Sequence, residues 1–397
     1  MTASAAVQES GGVARLLAGV GRPPTRAEHV RTFGPLPRVG DLTALVNAAG
    51  LLGRGGAGFP VARKLAAVAS HDRRPIVVAN GAEGEPVSKK DRALLRVAPH
   101  LVLDGAALVA QALDASEVVV GITQPAPELD RAVRERNRRE DRTAFSVQRV
   151  PEGFVSGEET ALVRALGGGP AKPTTKPPYP FERGLRGRPT LVQNVETLAH
   201  VALIARHGPQ WFAGGTALVT LAGAVANPGV HEVPLGLTVA QLLEGCGGVT
   251  AELSGVLVGG YFGGWCAPAD AATLVAGADT IGAGAIVALP ASTCAVSECA
   301  RVLRYLAGQS AGQCGPCTFG LPALADAFDP GSRGDGRPEV ARLIGLVERR
   351  GACRHPDGAA RFAATALTVF ADELARHAAR RGCGRRDEHV LTTGRRR

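Results

Sequence analysis

Between residues 41 and about 205 the chain alternates two kinds of apolar pattern. Short unbroken runs such as Ile76-Val77-Val78 are separated by segments in which apolar residues recur every three or four positions. Leu42, Leu45, Val46 and Ala49 have helical spacing. The same period predicts one long helix over 91–113, a polar-faced helix over 128–138 and a helix over 158–166. The unbroken runs predict buried strands at 74–79, 117–122 and 145–150. Strands alternating with helices imply a mainly parallel sheet covered by helices, a Rossmann-like α/β arrangement. Thr175-Lys176-Pro177-Pro178-Tyr179-Pro180 is a rigid crossing, because its prolines lack the N–H groups a helix needs.

The pattern changes near Thr216. Residues 218–221, 230–233 and 256–258 read as short strands and 238–243 as a short helix, with a turn at Asn227-Pro228-Gly229. Beyond about residue 293 helical periodicity returns over 296–306, 321–328, 338–349 and 359–379, for which a four-helix bundle is the simplest assembly. The expected organisation is an irregular, partly mobile lead-in (1–40), an α/β domain (41–212), a β-rich domain (213–290), a helical bundle (291–382) and a basic tail (383–397).

Composition narrows the class. A hydrophobic content of 45% with 20% charged residues belongs to a globular chain rather than a disordered one. No stretch reaches the roughly 18 unbroken apolar residues of a membrane span. The first twenty residues lack the basic start and apolar block of a secretory signal, so the expected location is cytoplasmic. Part of the net charge of +9 lies in residues 134–142 and in Arg395-Arg396-Arg397. Three tyrosines and two tryptophans leave few stacking surfaces, which argues against nucleic acid. The positive field suits an acidic redox partner such as a ferredoxin.

Gly53-Arg54-Gly55-Gly56-Ala57-Gly58-Phe59-Pro60 carries the first candidate chemistry. Four glycines in six residues make a loop whose backbone N–H groups can approach an anion, and the helix start at Val61-Ala62-Arg63-Lys64-Leu65 adds its dipole. The pattern G-x-G-x-x-G is weak alone, since helical spacing rather than a strand precedes it; a flexible turn between helices fits the same residues. Asn80-Gly81-Ala82-Glu83-Gly84-Glu85-Pro86 then brings two carboxylates suited to ribose hydroxyls, so the pair of segments points to a nucleotide or flavin.

Eight cysteines stand at 246, 266, 294, 299, 314, 317, 353 and 383. Cys314-Gly315-Pro316-Cys317 lies between two predicted bundle helices and Cys353 between the next two. Three chemistries fit that spacing: an iron–sulfur cluster, a zinc site using His355, and a redox C-x-x-C pair. The other five cysteines read as small buried or incidental residues.

Taken in order, these segments resemble the NADH-binding flavoprotein (51 kDa) subunit of respiratory complex I and its relatives in soluble hydrogenases and formate dehydrogenases, over about residues 35–382. Gly53 to Pro60 is similar to that family's flavin-phosphate loop, and Asn80 to Pro86 with Lys90-Asp91-Arg92 to its N-x-x-E-x-E-P…KDR segment. Gly157-Glu158-Glu159-Thr160-Ala161-Leu162, Lys176-Pro177-Pro178-Tyr179-Pro180 and Pro189-Thr190-Leu191-Val192-Gln193-Asn194-Val195-Glu196-Thr197 follow in the same order. The resemblance implies that residues 216–290 form an SLBB domain, a ubiquitin-like β-grasp, and that the bundle carries a 4Fe–4S cluster. It also implies FMN contacts from Gly53, Arg54, Gly55, Gly56, Lys64, Asn80, Gly157, Glu158 and Asn194. Glu83 and Glu85 would be the catalytic-site carboxylates lining the dinucleotide pocket, with Phe59, Lys176 and Tyr179 beside them. Carboxylates near the adenosine ribose would favour NADH over NADPH.

The chain departs from the family at several points. The family's S-C-x-x-C-x-x-C reads Ser310-Ala311-Gly312-Gln313-Cys314-Gly315-Pro316-Cys317 here, so Cys314, Cys317 and the distant Cys353 are the three remaining metal ligands. Ser310, water, Cys299 or a partner's residue would complete a 4Fe–4S cluster; otherwise the site holds a 3Fe–4S cluster or none. Ala67 stands where the family has a second adenine-sandwiching aromatic, Ala82 replaces an aspartate before Glu83, and Gln193 replaces an asparagine. The leading expectation is an FMN-dependent NADH dehydrogenase that passes electrons to a ferredoxin or a ferredoxin-like iron–sulfur protein. The alternatives are an electron-transfer adaptor with a decayed NADH site and a non-catalytic assembly component.

Overall fold

The computed structural model describes residues 15–18, 23–137, 143–329, 335–380 and 382–393. The mobility expected of the first residues, part of the basic run at 134–142, and the last four residues lie outside this set. The chain forms two compact units. One contains Met1–Gly84, Lys89–Leu218 and Val230–Leu235; the other contains Glu85–Ser88, Val219–Gly229 and Gly236–Arg397.

In the first unit the expected irregular lead-in contains a helix, α1 (Arg26–Phe33). Its capping box pairs the Thr25 side chain with the Glu28 N–H and Glu28 with the Thr25 N–H, a local signal that periodicity over so short a segment does not reveal. Helices α2 (Leu42–Ala48) and α3 (Val61–Ala69) flank the glycine loop. Strand β1 (Ile76–Gly81) follows. The long helix expected over 91–113 is two helices, α4 (Lys90–Val97) and α5 (Pro99–Ala112), bent by 95° at Ala98. Pro99 disfavours helical geometry at Ala98, which takes φ −136°, and it suits the first turn of α5, where its missing N–H is not needed. The pair is apolar, but α5 is buried almost all round within its own unit. Among the described residues no single helix is long and apolar enough to cross a membrane.

The unit continues with β2 (Glu117–Ile122), α6 (Pro127–Asn137), β3 (Ala144–Arg149), α7 (Glu159–Leu166), the short α8 (Pro180–Arg183), β4 (Thr190–Asn194) and α9 (Val195–His207). The four strands form a parallel sheet in the order β3-β2-β1-β4. Ile76 to Ala79 and Val118 to Val120 are fully buried, as expected of strands covered on both faces.

The next strands are β5 (Thr216–Gly223) and β6 (Gly229–Pro234), then α10 (Val239–Gly245), β7 (Leu253–Val258), β8 (Gly264–Cys266) and β9 (Ala285–Pro290). They make a second sheet ordered β6-β5-β9-β7-β8, in which β9 runs parallel to β5 and antiparallel to β7. Sequence pattern did not anticipate β8 or β9. β8 is only three residues long, shorter than any period can declare.

The helical part contains α11 (Ala295–Gly308), a π-helical turn at Pro316–Gly320, α12 (Leu321–Ala327), α13 (Arg337–Val347), α14 (His355–Val369) and α15 (Ala371–Arg380). The helix expected over 359–379 therefore breaks at Phe370. Its φ of −107° ends α14, and its ring packs edge-on against Trp265 at 4.8 Å. No glycine or proline marks that break in the sequence.

Candidate functional site

Strand order places the first site. From β1 the sheet continues to β2 and β3 on one side and to β4 on the other, so the winding reverses between β1 and β4. At the carboxyl ends of these two strands Asn80 and Asn194 lie side by side in register. In open parallel sheets such a reversal leaves a crevice beyond the strand ends, where ligands bind.

The glycine loop is tied to that crevice. Gly53 N–H bonds to the Phe59 carbonyl at 2.9 Å, closing the loop, and Arg54 N–H donates to Thr197 Oγ1 at 2.8 Å, joining it to the first turn of α9. Gly56 and Gly58 take φ of +101° and +59°, backbone that favours glycine. The N–H groups of Gly55, Gly56, Ala57 and Gly58 make no hydrogen bond among the described residues. The Arg54 side chain turns inward: it is 4% exposed, donates to the Thr216 carbonyl at 3.1 Å and lies 3.9 Å from Glu196. Burial lowers its pKa, with Glu196 opposing. Arg54 thus anchors the loop twice, by its N–H to Thr197 and by its guanidinium to Thr216, and the expected flavin contact passes to the N–H groups that follow it.

Opposite the loop, Asn80 Nδ2 donates to the Gly157 carbonyl at 2.8 Å, and a Cβ on Gly157 would stand 2.3 Å from the Ala82 carbonyl oxygen. Only glycine permits that approach. Glu158 caps α7, accepting from the Thr160 and Ala161 N–H groups. Lys176 bonds to Glu158 at 2.9 Å and to Glu159 at 2.8 Å, and Lys64 lies 3.3 Å from Glu159. Burial would raise the Glu159 carboxyl, but Lys64 and Lys176 outweigh it and hold it low. The two lysines expected at the flavin and dinucleotide sites therefore share one carboxylate.

Beneath the loop is a buried charge network, built from residues that occur within the sequence motifs but carry no role by spacing alone. Lys90 Nζ bonds to Asp91 at 2.7 Å and Glu196 at 2.8 Å. Glu196 also accepts from the Leu218 N–H at 2.8 Å, and Asn194 Nδ2 donates to Asp91 at 2.7 Å. Burial acts to raise Glu196, yet Lys90, His200 and Arg54 bring it down to about 2. Asp91 is raised to about 6, first by burial, with Glu83 and Glu196 adding to it against the pull of Lys90. The available signal was that KDR and NVET each open a helix with a charge that turns out to be fully enclosed.

The two carboxylates expected at the dinucleotide site part company. Glu83 is half-buried and accepts from the Asp91 N–H at 3.1 Å. Glu85 belongs to the second unit and is 9% exposed; its Oε2 accepts from the Tyr261 N–H at 2.7 Å. Phe59 is 47% exposed, with the Arg63 guanidinium over its ring at 5.3 Å. Tyr179 stacks on Phe181 at 5.4 Å.

In the second unit the π-helical turn carries Cys317, a local irregularity common at functional sites. Cys314, Cys317 and Cys353 converge. Burial pushes the Cys317 thiol up to about 11, with Cys314 and Cys353 adding to the rise and the hydrogen bond from the Ser310 hydroxyl opposing it. Ala311, in place of a fourth thiol, is buried at 5% exposure. Cys299 faces elsewhere, towards Trp265 and Cys294. His355, the alternative zinc ligand, directs Nε2 to the Leu306 carbonyl at 2.8 Å. A glycine cradle of unbonded N–H groups with Lys64 fits a phosphorylated flavin, and three converging thiols fit an iron–sulfur cluster.

Comparison with known proteins identifies the same kinds of domain. The family model for the Nuo51 FMN-binding domain matches residues 46–203, that for the SLBB domain residues 218–258, and that for the NADH-ubiquinone oxidoreductase-F iron-sulfur binding region residues 297–377. The second F-type NADH-quinone oxidoreductase subunit of Rhizobium meliloti is 30% identical over 380 residues, 86% of this chain and 90% of the relative. The NADP-reducing hydrogenase subunit HndC of Solidesulfovibrio fructosivorans is 32% identical over 340 residues, 78% of this chain and 69% of that one. Among solved structures, a chain of an NAD+-reducing NiFe hydrogenase in the H2-reduced state superposes with a TM-score of 0.79 at 28% identity. That match covers 85% of this chain but 62% of the hydrogenase chain.

Proposed function

The chain belongs to the family of NADH-binding flavoprotein subunits that includes the F-type subunits of NADH-quinone oxidoreductase, and on that premise we propose that it oxidises NADH and delivers the electrons to an acidic iron–sulfur protein of the ferredoxin class. Bound flavin supplies the exchange between a two-electron hydride donor and one-electron carriers. The chain's residues bind and orient. The N–H groups of residues 55–58, the start of α3 and Lys64 receive the flavin phosphate, while Gly53, Asn80, Gly157, Glu158 and Asn194 shape the crevice around it. Phe59, Glu83, Lys176 and Tyr179 are the dinucleotide-side residues, with two exposed rings and a half-buried carboxylate. Cys314, Cys317 and Cys353 hold the cluster, and the Ser310 hydroxyl, bonded to Cys317, is its fourth ligand in place of the missing thiol. The net charge of +9 supports an acidic acceptor.

The observation that carries this reading is the glycine loop with four unbonded N–H groups at the point where the parallel sheet reverses its winding. Anaerobic titration of the flavin-loaded protein with NADH tests it, and bleaching of the flavin band is the expected result. Yellow colour persisting at saturating NADH would overturn it. Ala67, which removes one adenine-stacking surface, favours a second reading in which a reduced ferredoxin donates instead. Bleaching by dithionite-reduced ferredoxin but not by NADH would select that one.

A further inference from the structure

Two cysteines whose sequence context marks them only as incidental lie in a group that the flavin and cluster sites do not use. Cys294 caps the start of α11, Glu373 and His377 sit one turn apart on α15, and Cys383 follows that helix. One ligand atom from each lies within 4.8 Å of all the others. Cys294 Sγ and His377 Nε2 are 3.3 Å apart. Thiolate and imidazole bound tetrahedrally to zinc at ordinary bond lengths stand roughly 3.6 Å apart, and two thiolates roughly 3.8 Å. Small shifts reach that geometry: the Cys294–His377 pair opens by about 0.3 Å and the longest separation closes by about 1 Å. His377 Nδ1 is buried without a hydrogen-bond partner, so no second bond fixes the ring's present orientation. Glu373 is held in place from both sides: Oε1 accepts from the Ala295 N–H at 2.9 Å and Oε2 from Arg385 at 2.6 Å.

We propose that Cys294, His377, Cys383 and Glu373 form a structural zinc site. Two sulfurs, one imidazole nitrogen and one carboxylate oxygen make a closed four-ligand set, and soft thiolates with imidazole favour zinc over magnesium or calcium. Glu373 Oε1 accepts from the Ala295 N–H at 2.9 Å and the Val296 N–H at 3.5 Å, so the lone pair left for a metal is on Oε2, beside the bond from Arg385. The metal's work is to fasten the C-terminal segment. Residues 382–393 return along α11 through Cys294 N–H to the Arg386 carbonyl at 2.7 Å, Arg386 N–H to the Ser292 carbonyl at 2.9 Å, and Leu391 N–H to Glu298 at 2.8 Å. These contacts all begin from the backbone of a short strap, and a metal joining Cys383 to α11 and α15 locks its near end.

The test is metal analysis of the full chain, purified anaerobically with reductant and zinc, beside Cys383→Ser and His377→Gln. We expect about one zinc per chain in the wild type, loss of zinc in both variants, and unchanged iron and flavin content in all three. Cobalt substitution is expected to give thiolate-to-metal charge transfer and intense tetrahedral d–d absorption, both absent in Cys383→Ser. Proteolysis near residue 383 should be roughly tenfold faster without the metal, because binding stabilises the closed form. Three results would overturn the proposal: no zinc or cobalt uptake by the folded wild type, loss of iron in Cys383→Ser, or a Cys294–Cys383 disulfide in the reductant-treated protein by intact mass. None depends on NADH oxidation, so failure here and failure of the proposed activity are separately visible.

Discussion

Glu196→Gln removes one charge from the enclosed network under the glycine loop while keeping the side chain's shape. In the native protein Glu196 is 1% exposed and faces Lys90 at 2.8 Å, Arg54 at 3.9 Å and His200 at 3.8 Å. Its carboxyl sits at about 2 against an ordinary value of 4.5. That difference corresponds to roughly 3 kcal/mol of native-state stability at neutral pH. Breaking a buried ion pair by removing one partner costs about 3–5 kcal/mol, an independent figure of the same size. For a unit of this length each kcal/mol moves the midpoint by about 2–4 °C, so the variant should melt roughly 6–12 °C below wild type at pH 7. Because the native value lies below the unfolded one, the contribution is complete above about pH 4.5 and is lost as pH falls towards 2. The gap between the two proteins should therefore shrink to less than about half its neutral-pH size by pH 3. Differential scanning calorimetry across this range checks both statements. Equal midpoints at pH 7, or a gap that does not change between pH 7 and pH 3, would refute the reasoning.

Asp91 has the opposite sign. Its native value is about 6, raised by burial, so the folded protein holds a proton that the unfolded chain has released, and stability falls as pH rises from about 4 to 6; Asp91→Asn should flatten that part of the midpoint-versus-pH curve, and an undiminished slope would contradict the assignment. Gly157→Ala places a methyl 2.3 Å from the Ala82 carbonyl oxygen, and the shift needed to relieve it moves the carbonyl that Asn80 holds. Overpacking of this kind costs about 1–3 kcal/mol, so flavin affinity measured by fluorescence quenching should fall roughly five- to hundredfold. Ala311→Cys supplies the absent thiolate beside Cys314 and Cys317. Iron removal by a chelator should slow severalfold, and unchanged kinetics would mean that position 311 does not face the cluster.

The first site was largely legible in the residues themselves, and the reason is local. A glycine loop, a run of buried branched residues and a capped helix are short-range events, so residues 53–60 and 76–79 could be placed on loop and strand from their own chemistry, while Asn80 and Gly81, read as part of a turn, complete β1. Proline at 99 also carried a readable signal, because its steric clash acts on the residue before it, even though the apolar period ran through the break. Where a break had no local cause, as at Phe370, periodicity misled: the helix ends where a ring finds Trp265, and that partner is remote in sequence. The short strand β8 is likewise made by its pairing with β7, not by its three residues.

What the chain determined by itself was therefore most of the elements, the parallel sheet, the glycine loop and the absence of a thiol at Ala311. Tertiary structure alone decided which charges face one another. Arg54 turns inward to Thr216, Glu85 bonds to Tyr261 in the second unit, and Lys176 is shared between Glu158 and Glu159. It also gathered Cys294, Glu373, His377 and Cys383, whose separation of up to 89 positions leaves no spacing to read. Side-chain chemistry travels with the residue, whereas burial and partnership arise only when distant segments close over it, and those two properties set each group's charge and role.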